Sequence, residues 1–162
     1  MEKIFLDTNV ILDLIQEREG ADNARKIVEY SQRNDYIHIY VSYLSIANSA
    51  YILRKRTIQE IKSEISSLFK IVNILPSGDM QIMSAMKSGS PDFEDALQIA
   101  CAEEKDCDLI ITRNPDHFRD YTEIPVLSPE EFVRHCGKAP LSSSTKCNRG
   151  EEFESGGFAD CM

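Results

Sequence analysis

The stretch Ile4-Phe5-Leu6-Asp7-Thr8-Asn9 decides how the rest of the chain is read. Three apolar residues in a row have the signature of a strand buried on both faces, as in a parallel sheet. Asp7 then places a carboxylate at the carboxyl end of that strand, where ligands bind in open α/β sheets. A carboxylate there is costly to bury unless it is paired or bound to a cation. Its competing role is a helix cap, because Thr8 and Asn9 can turn the chain into the next helix.

Working outward, strand and helix signals alternate. Residues 3–6 predict a strand and 10–16 a short helix. Residues 21–33 predict an amphipathic helix, with Ala24, Ile27, Val28 and Ser31 on one face. Tyr36 to Val41 is β-branched and aromatic, hence a strand. Ser42 can cap a helix from Tyr43 to Arg56 whose inner face would carry Leu44, Ala47 and Tyr51. Thr57-Ile58-Gln59-Glu60 is a capping box that opens another helix. A strand over 71–75 and a helix over 79–87 follow. Ser90-Pro91 predicts a helix start with proline at its first position, where the missing N–H costs nothing. Strands over 109–112 and 125–127 and a capped helix from Ser128-Pro129 complete the pattern. Such βα alternation argues for a parallel sheet with helices on both faces.

Three polar clusters fall at strand ends or helix starts: Asp7; then Asp92, Glu94 and Asp95; then Thr112, Arg113 and Asn114 after the apolar Leu109-Ile110-Ile111. Asp92 and Asp95 are three apart and would share one helical face, close enough to hold one cation, with Glu94 directed elsewhere. Acids in a first helical turn also answer the helix dipole. Thr112 and Asn114 can orient a ligand or a metal-bound water, or simply order their own turn. Arg113 could contact phosphate or lie in solvent. Asp13 reads as a surface acid, and Asp116 and His117 as turn residues. Carboxylates gathered in this way suit a hard divalent cation, Mg²⁺ or Mn²⁺.

The 162 residues suffice for one domain, and 42% hydrophobic with 28% charged is ordinary for a globular protein. A net charge of -9 argues against a broad basic nucleic-acid groove, though not against a small metal-centred site. No leader or membrane span is expected, since Asp7 and Asp13 break the first apolar run. Five cysteines without a CxxC pair fit a reducing, cytoplasmic setting. No nucleophile elbow or phosphate-binding glycine loop is present. Residues 1–137 are expected to form the domain, and Lys138 to Met162, rich in Ser and Gly, a disordered tail.

With those residues in view, the chain resembles the PIN-domain family, and within it the toxin-type VapC proteins. The resemblance runs over about residues 3 to 135, on Phe5-Leu6-Asp7-Thr8-Asn9-Val10, Asp92 to Ala100, and Ile110-Ile111-Thr112-Arg113-Asn114. It implies a three-layer α/β/α fold with a mainly parallel sheet of about four to five strands. It also implies a Mg²⁺- or Mn²⁺-dependent endoribonuclease, an RNA substrate, a small antitoxin partner and a homodimer. Asp7 and Asp95 match the family's acids, Asp92 is an extra acid, and Thr112 matches the strand-end hydroxyl. The metal ligands so implied are Asp7, Asp92 and Asp95, with Thr112, Asn114 and Asn48 beside them. Asn48 stands where the family usually carries Glu, and Asn114 where a fourth acid often follows. Two other functions remain open on the sequence: a PIN-like binding module without catalysis, and a phosphotransferase using Asp7 as nucleophile.

Overall fold

In the computed structural model, residues 1–136 are described; the tail expected from Lys138 lies outside them. The elements run β1 (Glu2–Leu6), α1 (Thr8–Gln16), α2 (Ala21–Gln32), β2 (Ile37–Ser42), α3 (Tyr43–Ile52), α4 (Ile58–Leu68), β3 (Asn73–Leu75), α5 (Asp79–Lys87), α6 (Phe93–Glu104), β4 (Leu109–Ile111), α7 (Asp116–Arg119), β5 (Val126–Leu127) and α8 (Pro129–Cys136). The strands form one five-stranded sheet in the order β3-β2-β1-β4-β5, and every pairing is parallel.

The strand period of two divides the core into two layers. Ile4 and Leu6 of β1 join Ile37, Ile39, Val41, Leu109 and Ile111 under α1, α2 and α8. Phe5 joins Tyr40 and Ile110 on the opposite face, under Ile99, Cys101 and Ala102 of α6 and Phe118 of α7. Both faces are therefore covered, which is why these strands read as unbroken apolar runs. Cys101 and Cys107 are buried free thiols within the second layer. No helix among the described residues is long and apolar enough to cross a membrane.

The order of strands creates a switch point. From β1 the chain moves outward through β2 to β3, then returns to place β4 on the other side of β1. Loops leaving the carboxyl ends of β1 and β4 therefore diverge and leave a crevice between them. Asp7 follows β1 and Thr112 follows β4, so the two polar motifs meet at this crevice.

Three local expectations are corrected. The helix carrying Asp95 starts at Phe93, not at Ser90-Pro91, because extended Asp92 is its N-cap and takes the N–H groups of Glu94 and Asp95. α3 stops at Ile52 rather than Arg56. Its inner face carries Ser45 and Ser49, both fully buried, while Tyr51 faces outward. Ser45 joins a polar cluster there, while the buried Ser49 hydroxyl has no hydrogen-bond partner, so hydrophobic period misplaces this face.

The last helix closes the α2 side of the sheet. Ser128 and Glu131 form the anticipated capping box, Glu131 Oε2 taking the Ser128 N–H at 2.7 Å and Ser128 Oγ the Glu131 N–H at 3.1 Å. Phe132 is buried and meets Tyr30 edge-on, with ring centroids 5.5 Å apart. Phe132→Ala should lower unfolding free energy by about 3–5 kcal/mol in urea titrations. A loss below about 1 kcal/mol would mean that α8 is not an integral part of the fold.

Candidate active site

Asp7 is the N-cap of α1 by position, yet its side chain makes no capping bond to the helix. The backbone does that work: the Asp7 carbonyl accepts the N–H groups of Val10 and Ile11. The carboxylate is left for the crevice and is only 2% exposed. Thr112 Oγ1 donates to Asp7 Oδ2 at 3.0 Å, and Asn9 Nδ2 donates to the same oxygen at 3.4 Å. Among the described residues no ion pair reaches Asp7. Burial pushes its pKa up to about 6; the Thr112 hydroxyl draws it down, and the nearby Asp95 carboxylate raises it further.

Asp95 lies on the first turn of α6, half-buried. Burial raises its pKa, with Asp92 adding to the rise and His117 opposing it. His117 Nδ1 is 3.4 Å from Asp95 Oδ2. Asp92 caps α6 through Oδ1, at 2.8 Å from the Glu94 N–H and 3.2 Å from that of Asp95. It borders the same cleft, but as a cap ahead of the helix rather than one turn up its face.

A cleft of about 450 Å³ opens over these groups. It is lined by Asp7, Asp92, Asp95, Asn48 and Asn114, five of the six residues singled out by sequence. The sixth, Thr112, is fully buried beneath it and reaches the site through Asp7. Its hydroxyl also accepts the Asn114 N–H at 3.2 Å, which leaves its one proton for Asp7. The Asn114 side chain is exposed at the rim.

Glu94 was expected to point elsewhere; it lines the cleft instead. Its Oε1 accepts from Asn48 Nδ2 at 2.7 Å and from Thr8 Oγ1 at 3.4 Å. The late start of α6 goes with the difference: the helix begins at Phe93, and Glu94 in its first turn reaches Asn48 of α3. His117 also lines the cleft, through the single-turn helix α7 that follows the Asn114 rim. No periodic signal marks it, because it stands after a turn and not on a long helix.

Beneath the cleft a buried polar cluster fixes the three elements that carry these groups. Gln98 Nε2 donates to Thr8 Oγ1 at 2.6 Å, and Ser42 Oγ donates to Gln98 Oε1 at 2.8 Å. Ser45 Oγ is 3.0 Å from both Thr8 Oγ1 and Ser42 Oγ. α1, α3 and α6 are thus tied by hydrogen bonds, which have a directional geometry that apolar packing lacks.

The donor set suits a hard cation. Three aspartates and one glutamate border the cleft with three carboxamides and one imidazole, a mainly oxygen set of the kind Mg²⁺ and Mn²⁺ prefer. Like charges raise the pKa of both Asp7 and Asp95, and a cation would remove that penalty. Among the described residues no three carboxylate, imidazole or thiol side chains already converge on one point.

Asp7 also makes stability depend on pH. Its pKa is raised in the folded chain, so the folded state binds more protons than the unfolded state between about pH 4 and 6. Stability therefore falls as pH rises through that window and stays lowered above it. Moving the midpoint from 3.8 to about 6 costs the folded state about 3 kcal/mol at neutral pH. In chelator-treated buffer at pH 7.5, Asp7→Asn should gain about 2–3 kcal/mol in urea melts, and the gain should vanish below about pH 4. An unchanged or lower stability at pH 7.5 would show that Asp7 is not held in a strained ionised state.

A PIN domain sequence profile matches residues 3–116. The chain is 28% identical over 137 residues to Ribonuclease VapC1 of Aquifex aeolicus strain VF5, covering 81% of this chain and 93% of that protein. The fold superposes on VapBC2 from Rickettsia felis, solved with a DNA fragment from its promoter, with a TM-score of 0.63 and 14% identity over 78% of this chain and 98% of that one. It also superposes on Mycobacterium tuberculosis VapC20, a toxin that cleaves the sarcin-ricin loop, with a TM-score of 0.57 and 14% identity over 75% and 98% of the two chains. The profile spans most of the chain, and the parallel five-stranded sheet with its acidic crevice agrees with it: this protein belongs to the PIN-domain family.

Proposed function

We propose that this chain is a metal-dependent endoribonuclease of the toxin-antitoxin type, hydrolysing RNA phosphodiester bonds at the Asp7 crevice. The observation that carries the reading is a nearly water-free carboxylate at the β1/β4 switch point, facing a second raised carboxylate on α6 with no Lys or Arg between them. The relative named Ribonuclease VapC1 supports the reaction class.

Asp7 and Asp95 would hold Mg²⁺ or Mn²⁺, with Asp92 and Glu94 as the further acids within the cleft. When bound, the ion supplies a more acidic water and neutralises charge on the scissile phosphate. Thr112 keeps one Asp7 oxygen occupied and so fixes the carboxylate plane. Asn48 holds Glu94 at 2.7 Å, which keeps a carboxylate near the place where the family usually has Glu on α3. Asn114 and His117 stand at the rim, where they can orient a phosphate or a water. The side-chain oxygen of Asn114 contributes a dipole and no charge.

The α3 end of the cleft supports an RNA substrate. Tyr51 lines it with its ring 65% exposed, and the Arg54 guanidinium lies 4.2 Å from the ring centroid. An exposed aromatic beside a cation is a platform for an unstacked base. Arg54, Lys55 and Arg56 supply local positive charge in a chain of net charge -9. A small antitoxin partner, a homodimeric state and a cytoplasmic location belong to the same proposal. The binding-module alternative drew its support from Asn48, and the Asn48–Glu94 pair weakens that support.

The test is cleavage of a mixed tRNA and rRNA pool with Mn²⁺ or Mg²⁺. Cutting should stop with EDTA and fall to background in Asp7→Asn and Asp95→Asn. Glu94→Gln should lose about 10–100-fold in rate, as an outer ligand partner does. Cleavage that survives both aspartate substitutions at the native rate would overturn the assignment.

A further inference from the structure

Asp13 is not the surface acid its sequence context suggests, and Arg113, though partly exposed, is not free in solvent. Asp13 is fully buried on α1, and Arg113 Nη1 reaches its Oδ1 at 3.1 Å. The guanidinium is thus turned away from the cleft and does not line it. Asp13 Oδ2 has no hydrogen-bond partner. Burial raises the Asp13 pKa, against the pull of Arg113 and Arg18. The α1–α2 turn passes close to this carboxylate: a Cβ at Gly20 would run into Asp13 Oδ2.

An ion pair that buries its carboxylate with one oxygen unpartnered, while the guanidinium stays partly in solvent, is a poor source of stability, because desolvation of the acid offsets most of the attraction. Its position suggests another role. Asp7 and Asp13 are at the start and on the body of α1, and Thr112 and Arg113 are adjacent on the segment leaving β4. Thr112 ties that segment to Asp7, and Arg113 ties it to Asp13. Two bonds between the same two elements fix rotation as well as distance. The backbone bonds of Ile111 to Asp7 and of Thr112 to Leu127 hold the start of the segment, and the Arg113 bond extends that hold one residue further, toward Asn114.

We propose that Asp13 and Arg113 form a clip that positions the Thr112–Asn114 segment against Asp7, making both of them positioning residues for the site. The geometry of the clip is independent of the nuclease reading; its effect on metal binding rests on that reading. Arg113 acts through the adjacent Thr112, whose hydroxyl takes the Asn114 N–H and gives its proton to Asp7. Without the clip, Thr112 can leave its rotamer and Asn114 can leave the rim. Asp7 would remain buried but lose the bond that fixes its orientation.

The experiment uses the full chain with Arg113→Met, which keeps the apolar stem and removes the donor fork, and Arg113→Lys, which keeps the cation. Asp13→Asn, nearly isosteric, breaks the charge pair from the other side. In metal-free protein, the order parameter of the Thr112 methyl group is measured by NMR, with the Thr8 methyl as internal reference. Arg113→Met and Asp13→Asn should both lower Thr112 order and populate a second χ1 rotamer, Arg113→Lys should restore most of it, and Thr8 should not change. Free Mn²⁺ counted by EPR should report binding weakened by about 10–100-fold in Arg113→Met. Thr112 order unchanged while the melting temperature falls would overturn the proposal and leave the pair a structural contact. The NMR arm needs no metal, so native protein that binds no Mn²⁺ would sink the nuclease reading alone and leave the clip to be judged on Thr112.

Discussion

The site depends on a carboxylate that cannot discharge its desolvation cost within the protein. Asp7 is 2% exposed, has two side-chain donors on one oxygen, and faces other acids. An ion pair with Arg or Lys would offset part of the cost and also fill the crevice. The chain keeps its nearest strand-end cation, Arg113, on Asp13 instead. Much of the surrounding architecture follows from this arrangement. The switch point between β1 and β4 provides the opening, and the two apolar layers keep water from entering by any other route.

Around that centre the protein uses polar contacts where a simpler fold would use apolar ones. Gln98, Ser42, Ser45 and Thr8 form a buried network under the cleft, although each brings a desolvation cost of its own. Satisfied networks of this kind specify one arrangement, because a shifted helix would leave several groups without partners. α6 and its N-cap carry three of the acids near the cleft, and the register of α6 relative to α3 decides whether Glu94 meets Asn48. The network holds that register in a way that the small apolar residues of α6 alone would not.

The sheet was legible in sequence because both of its faces are covered and its strands are continuous apolar runs. Asp7 and Thr112 stood out for a related reason, since each follows such a run, whereas Asp95 stood out by its spacing from Asp92 and the packed residues after it. Asp13 was misread because a single acid in an amphipathic helix is ordinarily solvated, and its partner lies 100 residues away. Glu94 was misread because its direction depends on where α6 begins. Proline at Ser90-Pro91 signalled an earlier start, and the capping bonds of Asp92 overrode that signal. The inner face of α3 failed for a third reason: periodicity finds apolar stripes, and this face is a row of serines.

Both margins of the sheet are very short, with three residues in β3 and two in β5. Few main-chain donors and acceptors are therefore left unpaired along either edge. A neighbouring chain has almost no template on which to add a strand, which limits fibril-like association. Among the described residues, a lasting contact with another macromolecule then falls to side chains of the helices and loops and not to an added strand. Specificity in such a contact would be set by residue identity, position by position, and could change in evolution without disturbing the sheet or the crevice it supports.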